Sequence, residues 1–358
     1  MSTQPSESPL PNARPIESLY LLALFLIILS AILFLIKELG GILQPLMIAL
    51  FLSYIILPIH RRFTQWGIPW YLSIAFIVGI MTILVYTIGI LVYENLVSLS
   101  EKIPLYEERA TQMLQRGQEM LASYYPEIKA DEVWAPTSEE KVDLTKLRQW
   151  IGGAVGYSVG AITSTAVITF YLFFLLMEAS TVESRIRQAF TQERAEKILG
   201  VIDSISQAMS DYLWVKTKAS LLLATPVTVT LWAFGLDFAL MWGILTFFAN
   251  FIPYVGSLVL CALPIILAYF QFESLWWASL LAVVLIIIHQ VTGNVIEPRM
   301  TGKTLGISPL ALLIFLAFWG LYWGFIGMVL AVPFTVMLKI VLENIEQTKF
   351  LSRLMSAE

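Results

Sequence analysis

One short polar segment holds the residues of this sequence that could do chemistry. Residues 290–309 concentrate Gly, Pro and polar side chains around a single carboxylate, Glu297, between two long apolar runs. An ionisable group at the end of such a run commonly marks the path of an ion or polar solute. The alternative interpretation is an interfacial loop in which Glu297 and Arg299 are simply solvated. The elements around the segment must decide between these two interpretations.

Patterns that would indicate an enzyme are incomplete. Gly302-Lys303-Thr304 looks like the end of a phosphate-binding loop, but such a loop requires Gly at position 297, where the sequence has Glu. No strand precedes the segment, and no nucleophile or acid pair of a hydrolase stands out in a soluble stretch. We therefore expect neither an enzyme nor a cofactor.

The two histidines and the only cysteine do not form a metal-ligand pattern. His60, His289 and Cys261 have no carboxylate pair nearby at ligand spacing. A charged imidazole would be costly in the apolar run around His289, so we expect a neutral ring hydrogen-bonded to a neighbouring helix. We interpret Cys261 as a small buried hydrophobic residue, and a single cysteine cannot form an intrachain disulfide.

The composition indicates a membrane protein whose outer surface faces lipid. Of the 358 residues, 58% are apolar and only 13% are charged, with a mean hydropathy of +0.77. Soluble domains carry roughly 25% charged residues. The 11 Trp, 14 Tyr and 21 Phe suit the aromatic belts of a membrane protein. The net charge of −4 and short, scattered basic clusters are not those of a nucleic-acid-binding protein.

Eight uncharged segments are long enough to be helices across a bilayer, whose hydrocarbon core needs about 20 helical residues. They are residues 19–36, 39–59, 63–93, 149–177, 219–236, 238–272, 274–296 and 304–338. Only helices and closed barrels satisfy their backbone in lipid, and these runs lack the alternation of a barrel strand. We predict an all-α, polytopic membrane protein.

Two of the eight segments are too long for one crossing and too short for two. Segments 238–272 and 304–338 each contain 35 residues, about 52 Å of helix. Each carries Gly or Pro near its middle, where a helix breaks. The breaks contain Asn250, Pro253, Tyr254 and Gly256 in the first segment and Trp319, Gly320 and Gly324 in the second. We predict two re-entrant hairpins, with kinked single spans as the alternative.

Charge and composition divide the chain into regions. These are a disordered N-terminus (1–18), three scaffold helices (19–96), an extramembrane amphipathic segment (97–148), a fourth span (149–177), a cytoplasmic helical segment (178–214), a transport core (215–343) and a tail (344–358). Basic residues in short loops favour the cytoplasmic side. Arg61 and Arg62 therefore predict cytoplasmic N- and C-termini and place residues 97–148 outside.

A heptad-like apolar stripe continues beyond the third span. Leu96, Leu99, Ile103, Tyr106, Ala110, Met113, Gly117, Met120 and Tyr124 recur at alternating spacings of three and four residues. Such a stripe indicates helix packing, either against helices of the same chain or against another copy. The sequence is compatible with either packing partner.

Several ordered motifs together resemble the autoinducer-2 exporter family of bacterial permeases. They are Val215-Lys-Thr-Lys-Ala-Ser220, Phe248-Ala-Asn250-Phe-Ile-Pro253-Tyr254-Val-Gly256, Asn294-Val-Ile-Glu297-Pro298 through Gly302, Leu305-Gly306-Ile-Ser308-Pro309-Leu310, Trp319-Gly-Leu-Tyr-Trp-Gly324 with Gly327 and Pro333, and Phe173-Phe-Leu-Leu-Met-Glu178. The resemblance covers nearly the whole chain. The sequence departs from it at Phe251, at Tyr254, where relatives often have Asn, and at Glu178, where they commonly have Asp.

The resemblance implies a homo-oligomeric inner-membrane permease that exports a small solute, although some relatives resemble sodium(lithium)/proton antiporters. A membrane scaffold without transport is a further alternative. The candidate translocation residues are Asn250, Pro253, Tyr254, Gly256, Asn294, Glu297, Pro298, Thr301, Gly302, Trp319, Gly320 and Gly324. Glu297, or Glu178 with Arg185, could titrate if transport is coupled to protons. The expected partners are lipid and a small polar solute or monovalent cation.

Overall fold

The computed structural model describes residues 14–124, 145–253, 255–301 and 306–356. Tyr254 and Gly302, two of the candidate residues, lie outside these ranges, as do most of the N-terminus predicted to be disordered and residues 125–144 of the extramembrane segment. Thr301 ends a helix, and only its backbone is described.

Every regular element in these ranges is helical, which confirms the predicted all-α class. In chain order the helices are α1 (Arg14–Glu38), α2 (Gly40–Gln65), α3 (Trp70–Tyr124), α4 (Thr145–Ala189), α5 (Gln192–Ala233), α6 (Ala239–Ala249), α7 (Val255–Phe272), α8 (Leu275–Val291), α9 (Glu297–Thr301), α10 (Pro309–Asn344) and α11 (Lys349–Met355). A π-helical turn, Thr292–Ile296, joins α8 to α9, and a 3₁₀ turn, Glu346–Thr348, precedes α11.

Five stretches in the described ranges are long and apolar enough to cross a membrane. They are Gly40–Gln65, Trp70–Gly117, Ile151–Ala179, Leu275–Met300 and Pro309–Asn344, the last of which is broken at Gly324. Their exposed surfaces are rich in large apolar side chains, as lipid-facing helices require. The chain is a polytopic membrane protein, while the count of eight hydrophobic segments stays a prediction.

The segment 238–272 folds back on itself as two helices, α6 and α7, which we call the first hairpin. Its two ends are joined by one side chain, because Gln271 donates from Nε2 to the Gly235 carbonyl (2.8 Å) and accepts from the Asp237 amide (2.8 Å). At the other end, a Cβ on Gly256 would collide with the Ala249 carbonyl oxygen. Glycine therefore permits the tight turn between the two helices.

The helix α10 also reverses, at Gly324, and we call it the second hairpin. Gly324 has φ 60° and ψ −139°, a conformation that only glycine adopts readily. The rings of Trp319 and Phe334 lie 4.3 Å apart between centroids. In an unbroken helix, 15 residues would separate them by about 22 Å. A Cβ on Gly327 would collide with the Trp319 carbonyl oxygen, so this turn is equally tight.

The two hairpins start from opposite ends of the helical core. Phe234 and Trp277 are in contact (6.1 Å between centroids), so α5 ends and α8 begins at the base of the first hairpin. Running away from that base, α8 leads through the π-helical turn to Glu297. The second hairpin begins beyond that far end, and Lys339 closes its base with a hydrogen bond to the Gly306 carbonyl (2.8 Å).

The turns of the hairpins meet inside the core. Phe251 of the first turn packs in one apolar cluster with Trp323 of the second. Ile252, the next residue, packs with Leu316 and Ala331, one from each half of α10. Both breaks therefore pack on one side against protein, although Leu321 and Phe325, which flank Gly324, are exposed. Broken backbone at membrane depth is tolerated where it packs in protein or lines a cavity.

The apolar stripe beyond the third span packs within the chain. Leu96, Leu99, Ile103, Tyr106 and Ala110 are all buried. The first four belong to the same cluster as side chains of the first hairpin, Trp242, Leu260 and Leu267 among them. This part of the stripe is occupied by an intrachain partner, so it is not available as a surface for a second copy.

Candidate translocation site

An ion pair joins α5 to the polar segment that the sequence singles out. Lys216 on α5 donates from Nζ to Oε1 of Glu297 at the start of α9. The two side chains are only 11% and 24% exposed. The interpretation of Glu297 as a solvated loop residue is therefore wrong, because residue 297 is helical and its carboxylate has a largely buried counter-charge. Arg299, by contrast, is exposed.

The local backbone explains how Glu297 reaches α5. The π-helical turn at Thr292–Ile296 inserts an extra residue per turn between α8 and α9. Such bulges occur frequently at functional sites, where they redirect the side chains that follow. Thr292 is buried at the start of this turn. The polar segment is thus a modified helix and not a loop, and the modification lies next to its only carboxylate.

Lys216 belongs to a polar row on α5. Tyr212, Lys216 and Ser220 are four residues apart and so share one face of the helix. Burial, followed by the charge of Glu297, raises the pKa of the Tyr212 hydroxyl. The row presents two hydroxyls and an ammonium group to the core.

The first hairpin touches the same row through its turn. Asn250 donates from Nδ2 to Oγ of Ser220 at 3.1 Å, and Ser220 is completely buried. Phe251 and Ile252, which follow Asn250, are buried as well. Asn250 and Glu297 are thus brought to one face of α5, one turn apart along the helix. Pro253 follows in the same turn and is partly exposed.

The turn of the second hairpin presents aromatic rings and no charge. Trp319 packs on Trp323 (5.0 Å between centroids) and on Phe334. Trp323 donates from Nε1 to the Ile36 carbonyl (3.0 Å), whereas Nε1 of Trp319 is buried with no hydrogen-bond partner among the described residues. Gly320 lies against the Met328 side chain across the turn.

Other candidate residues lie outside this constellation. Asn294 is exposed and donates to Gln290 on its own helix, and Pro298 is exposed too. Glu178 and Arg185 pair with each other along α4, with side chains 50% and 67% exposed. Such exposure makes them a weaker choice for a coupled proton site than Glu297.

The expected hydrogen bond of His289 is not present among the described residues. Both ring nitrogens are buried and have no partner there. The prediction of a hydrogen bond to a neighbouring helix is therefore wrong. The ring packs in the apolar part of α8, where Leu285 is buried and Ile288 partly so.

A second polar cluster lies at the base of the first hairpin, on the part of α3 beyond the third span. We call residues 96–117 of α3 the arm. Lys102 pairs with Asp237 at 2.5 Å, and the Tyr106 hydroxyl donates to the same carboxylate oxygen at 3.2 Å. Arg109 donates to the carbonyls of Phe270 (3.2 Å) and Gln271 (2.9 Å).

The same cluster continues into the turn after the first hairpin. Glu273 pairs with Arg109 at 3.3 Å and with Arg116 at 3.8 Å. The Lys102 ammonium also lies 5.2 Å from the ring centroid of Phe238, a cation–π contact. The arm therefore binds both ends of the first hairpin through its polar face and packs on it through its apolar stripe.

Sequence reasoning missed Lys216 and the arm for different reasons. Lys216 lies in a quoted motif, and the i, i+4 spacing of Tyr212, Lys216 and Ser220 is a signal that could have found it. Lys102 and Asp237 are 135 positions apart, and no local pattern links them.

Helices long enough to cross a membrane, two broken apolar segments and a partly buried ion pair beside a π-helical turn together define a polytopic membrane transporter. The sequence profile of AI-2E family transporters matches residues 22–347. The chain belongs to this family, as the sequence motifs predicted, and is a multi-pass protein of the bacterial inner membrane.

Relatives named as transport proteins align over almost the whole chain. The AI-2 transport protein TqsA of Escherichia coli is 27% identical over 338 residues, 94% of each chain. A putative transport protein of Borreliella burgdorferi is 29% identical over 347 residues, 93% of this chain and 88% of the relative. One from Haemophilus influenzae is 29% identical over 330 residues, covering 91% and 92%. All three names describe transport and none describes catalysis.

Proposed function

We propose that this protein is a secondary transporter that exports a small polar solute, autoinducer-2 or a similar metabolite. The observation that carries the proposal is the Lys216–Glu297 ion pair, one helical turn from the Asn250–Ser220 hydrogen bond and next to a cluster of apolar side chains. The relative named for AI-2 transport supports the choice of solute.

The ion pair favours a neutral solute with hydroxyl or carbonyl groups. Separating two charges in a low-dielectric core is costly unless each gains a new partner. A hydroxylated solute can donate to Glu297 and accept from Lys216 while the charge of the site stays balanced. Asn250, Ser220 and the Tyr212 hydroxyl would supply further hydrogen bonds in place of water.

In this proposal the solute reaches the site along the two hairpins. We propose that both are re-entrant, the first entering from the outer face and the second from the cytoplasmic face, because their bases lie at opposite ends of the core. The cytoplasmic assignment rests on Arg61 and Arg62 near the C-terminal end of α2, just before the connection to α3. It places the arm outside and the C-terminus inside, with the N-terminus inside as the sequence predicts.

Transport in proteoliposomes tests the proposal. The purified protein is reconstituted, and uptake of isotope-labelled autoinducer-2, glycerol and a neutral sugar is measured with and without a proton gradient. Glu297→Gln and Asn250→Ala should each reduce flux at least tenfold, whereas Arg299→Gln, next to the site but exposed, should leave it unchanged. Unchanged flux in both site variants would overturn the placement of the site.

A sodium(lithium)/proton antiporter is the second candidate, and it is favoured by the same partly buried carboxylate. A monovalent cation at Glu297 would have to displace the Lys216 ammonium, which already holds the position of a cation. Everted vesicles would then show pH-dependent cation exchange that Glu297→Gln abolishes. Exchange that persists in Glu297→Gln but is lost in Glu178→Gln would move the coupling site to α4.

Self-association is also a proposal. It rests on the family resemblance and not on the apolar stripe, since the first five stripe residues are buried against the chain itself. A role as a scaffold without transport would depend on the arm and residues 118–148. Deleting residues 118–148 while solute flux persists would argue against that role.

A further inference from the structure

We propose that the arm of α3 is an anchor that keeps the first hairpin fixed during transport, and that the moving gate is the second hairpin. The inference rests on the proposed transport function and assigns the motion within it. The sequence alone suggests the reverse arrangement, in which the hairpins move together against a scaffold that includes this arm.

The contacts at the base of the first hairpin argue against its movement. Asp237 and Glu273, just before and just after the hairpin, each pair with a cation of the arm, Lys102 and Arg109. Arg109 also binds two carbonyls in the last turn of α7, and Gln271 joins the two ends to each other. Sliding the hairpin along the arm would break the bonds of Lys102 and Arg109 in one step.

The apolar contacts beneath these polar bonds have the same consequence. Ile103 of the arm is 1% exposed and lies in one cluster with Met241 and Leu260 of the first hairpin. Moving the hairpin away would expose this side chain and its neighbours at the end of the third span. Contacts on the polar face and on the apolar face of the arm therefore both stabilise the first hairpin in one position.

The second hairpin is attached differently at its turn. Trp323 makes one hydrogen bond to the Ile36 carbonyl, at the junction of α1 and α2. Around it, contacts to α2 are between apolar side chains such as Phe51 and Phe334, whose ring centroids are 5.7 Å apart. Apolar surfaces can slide without leaving charges unpaired. Gly324, with its positive φ, gives the turn a residue that tolerates a change of backbone conformation.

Cross-linking separates a fixed hairpin from a moving one. Cys261 is the only cysteine, so Cys261→Ala provides the background for cysteine pairs. The first pair, Lys102→Cys with Asp237→Cys, spans the anchor. The second, Gly40→Cys with Trp323→Cys, spans the second turn, where a Cβ on Gly40 would lie 3.6 Å from Nε1 of Trp323. Each pair is joined by a short bis-methanethiosulfonate reagent that dithiothreitol releases.

The expected results for the two pairs differ. After cross-linking, the anchor pair should transport autoinducer-2 within twofold of its own reduced form. The second pair should lose at least tenfold and recover on reduction. Loss of flux in the cross-linked anchor pair, or full flux in the cross-linked second pair, overturns the inference. If reduced Gly40→Cys/Trp323→Cys is inactive, Phe51→Cys/Phe334→Cys replaces it.

A measurement that needs no transport keeps the inference separate from the proposed function. If the reduced parent carries none of the tested solutes, the proposed function fails. Hydrogen exchange still tests the anchor: backbone amides of residues 235–240 and 268–273 should exchange at least tenfold more slowly than those of 320–328. Lys102→Ala with Asp237→Ala should narrow that difference. Faster exchange at the first hairpin than at the second turn in the parent protein contradicts the anchor.

Discussion

The ammonium group of Lys102 lies 2.5 Å from Oδ2 of Asp237, across 135 positions of sequence. Tyr106 donates to the same oxygen, so one carboxylate receives two bonds from the arm of α3. The pair fixes where α6 begins, since Asp237 directly precedes Phe238, a bulky residue with a positive φ of 62°. A strained backbone of this kind persists only where its surroundings hold it.

We expect Asp237→Asn to destabilise the protein modestly and in a salt-dependent way. The Lys102 and Asp237 side chains are 43% and 33% exposed, so screening limits the pair to about 0.5–1 kcal/mol. Thermal unfolding in detergent should show a lower Tm for the variant at low ionic strength. The difference should shrink at 0.5 M salt. Glu183→Gln, which breaks the exposed Arg187–Glu183 pair on α4, is the matched control and should change Tm less.

Gly256→Ala and Gly327→Ala should each destabilise the turn in which they lie. A Cβ at either position would collide with a backbone carbonyl oxygen, that of Ala249 or Trp319, and backbone cannot rotate away as a side chain can. Overpacking of this kind costs about 1–3 kcal/mol. Gly117→Ala, which meets nothing within 4 Å, is the control.

The measurement is thermal unfolding of the purified variants together with their flux in proteoliposomes. If Gly256→Ala and Gly117→Ala unfold at the same temperature, the close approach of Ala249 to the turn is wrong. An equally stable Gly327→Ala would contradict the reversal of α10 at Gly324 in the same way.

These turns show how much of the fold the sequence contains. Gly and Pro in the middle of two over-long apolar runs predicted the positions of both helix breaks, because the backbone conformations that Gly and Pro favour are set locally by the residue itself. The chain reverses within the predicted breaks, at residues 250–256 and at Gly324. The sequence did not predict which surface the apolar stripe packs against. A stripe indicates that a helix packs, but it does not identify the packing partner.

The site was partly predictable for a similar reason. Glu297 stood out as the one carboxylate in a polar segment, and Asn250 marked a break. Their common neighbour α5 brings them together, and its Lys216 resembles an ordinary interfacial lysine beside Lys218. The expected hydrogen bond of His289 failed because the general cost of burying a polar group does not say that every such group finds a partner.

Ser220→Ala should weaken the attachment of the first hairpin's turn to α5. Its Oγ accepts a hydrogen bond from Asn250 at 3.1 Å in a fully buried position. Removing the acceptor leaves the Asn250 amide unsatisfied, which costs about 1–3 kcal/mol. Ser204→Ala is the control on the same helix, because Ser204 bonds only to the Gly200 carbonyl of α5 and is exposed.

A double-mutant cycle gives the interaction itself. Asn250→Ala combined with Ser220→Ala should destabilise by less than the sum of the single changes, with a coupling of about 0.5–1.5 kcal/mol. Strict additivity in chemical unfolding would mean that the two side chains do not interact in the folded protein.

Charge reversal across the ion pair separates its structural role from its transport role. Glu297→Gln and Lys216→Met each remove one charge of a partly buried ion pair, and each should cost about 2–4 kcal/mol in the free energy of unfolding. The double variant Lys216→Glu with Glu297→Lys restores the pair and should recover more than half of the lost stability. Its flux of autoinducer-2 should stay at least tenfold below the parent, because a solute bound between the two groups would meet donor and acceptor in exchanged positions. Stability and flux that recover together would show that the pair only joins α5 to α9, and the proposed solute site would then have to lie elsewhere in the core.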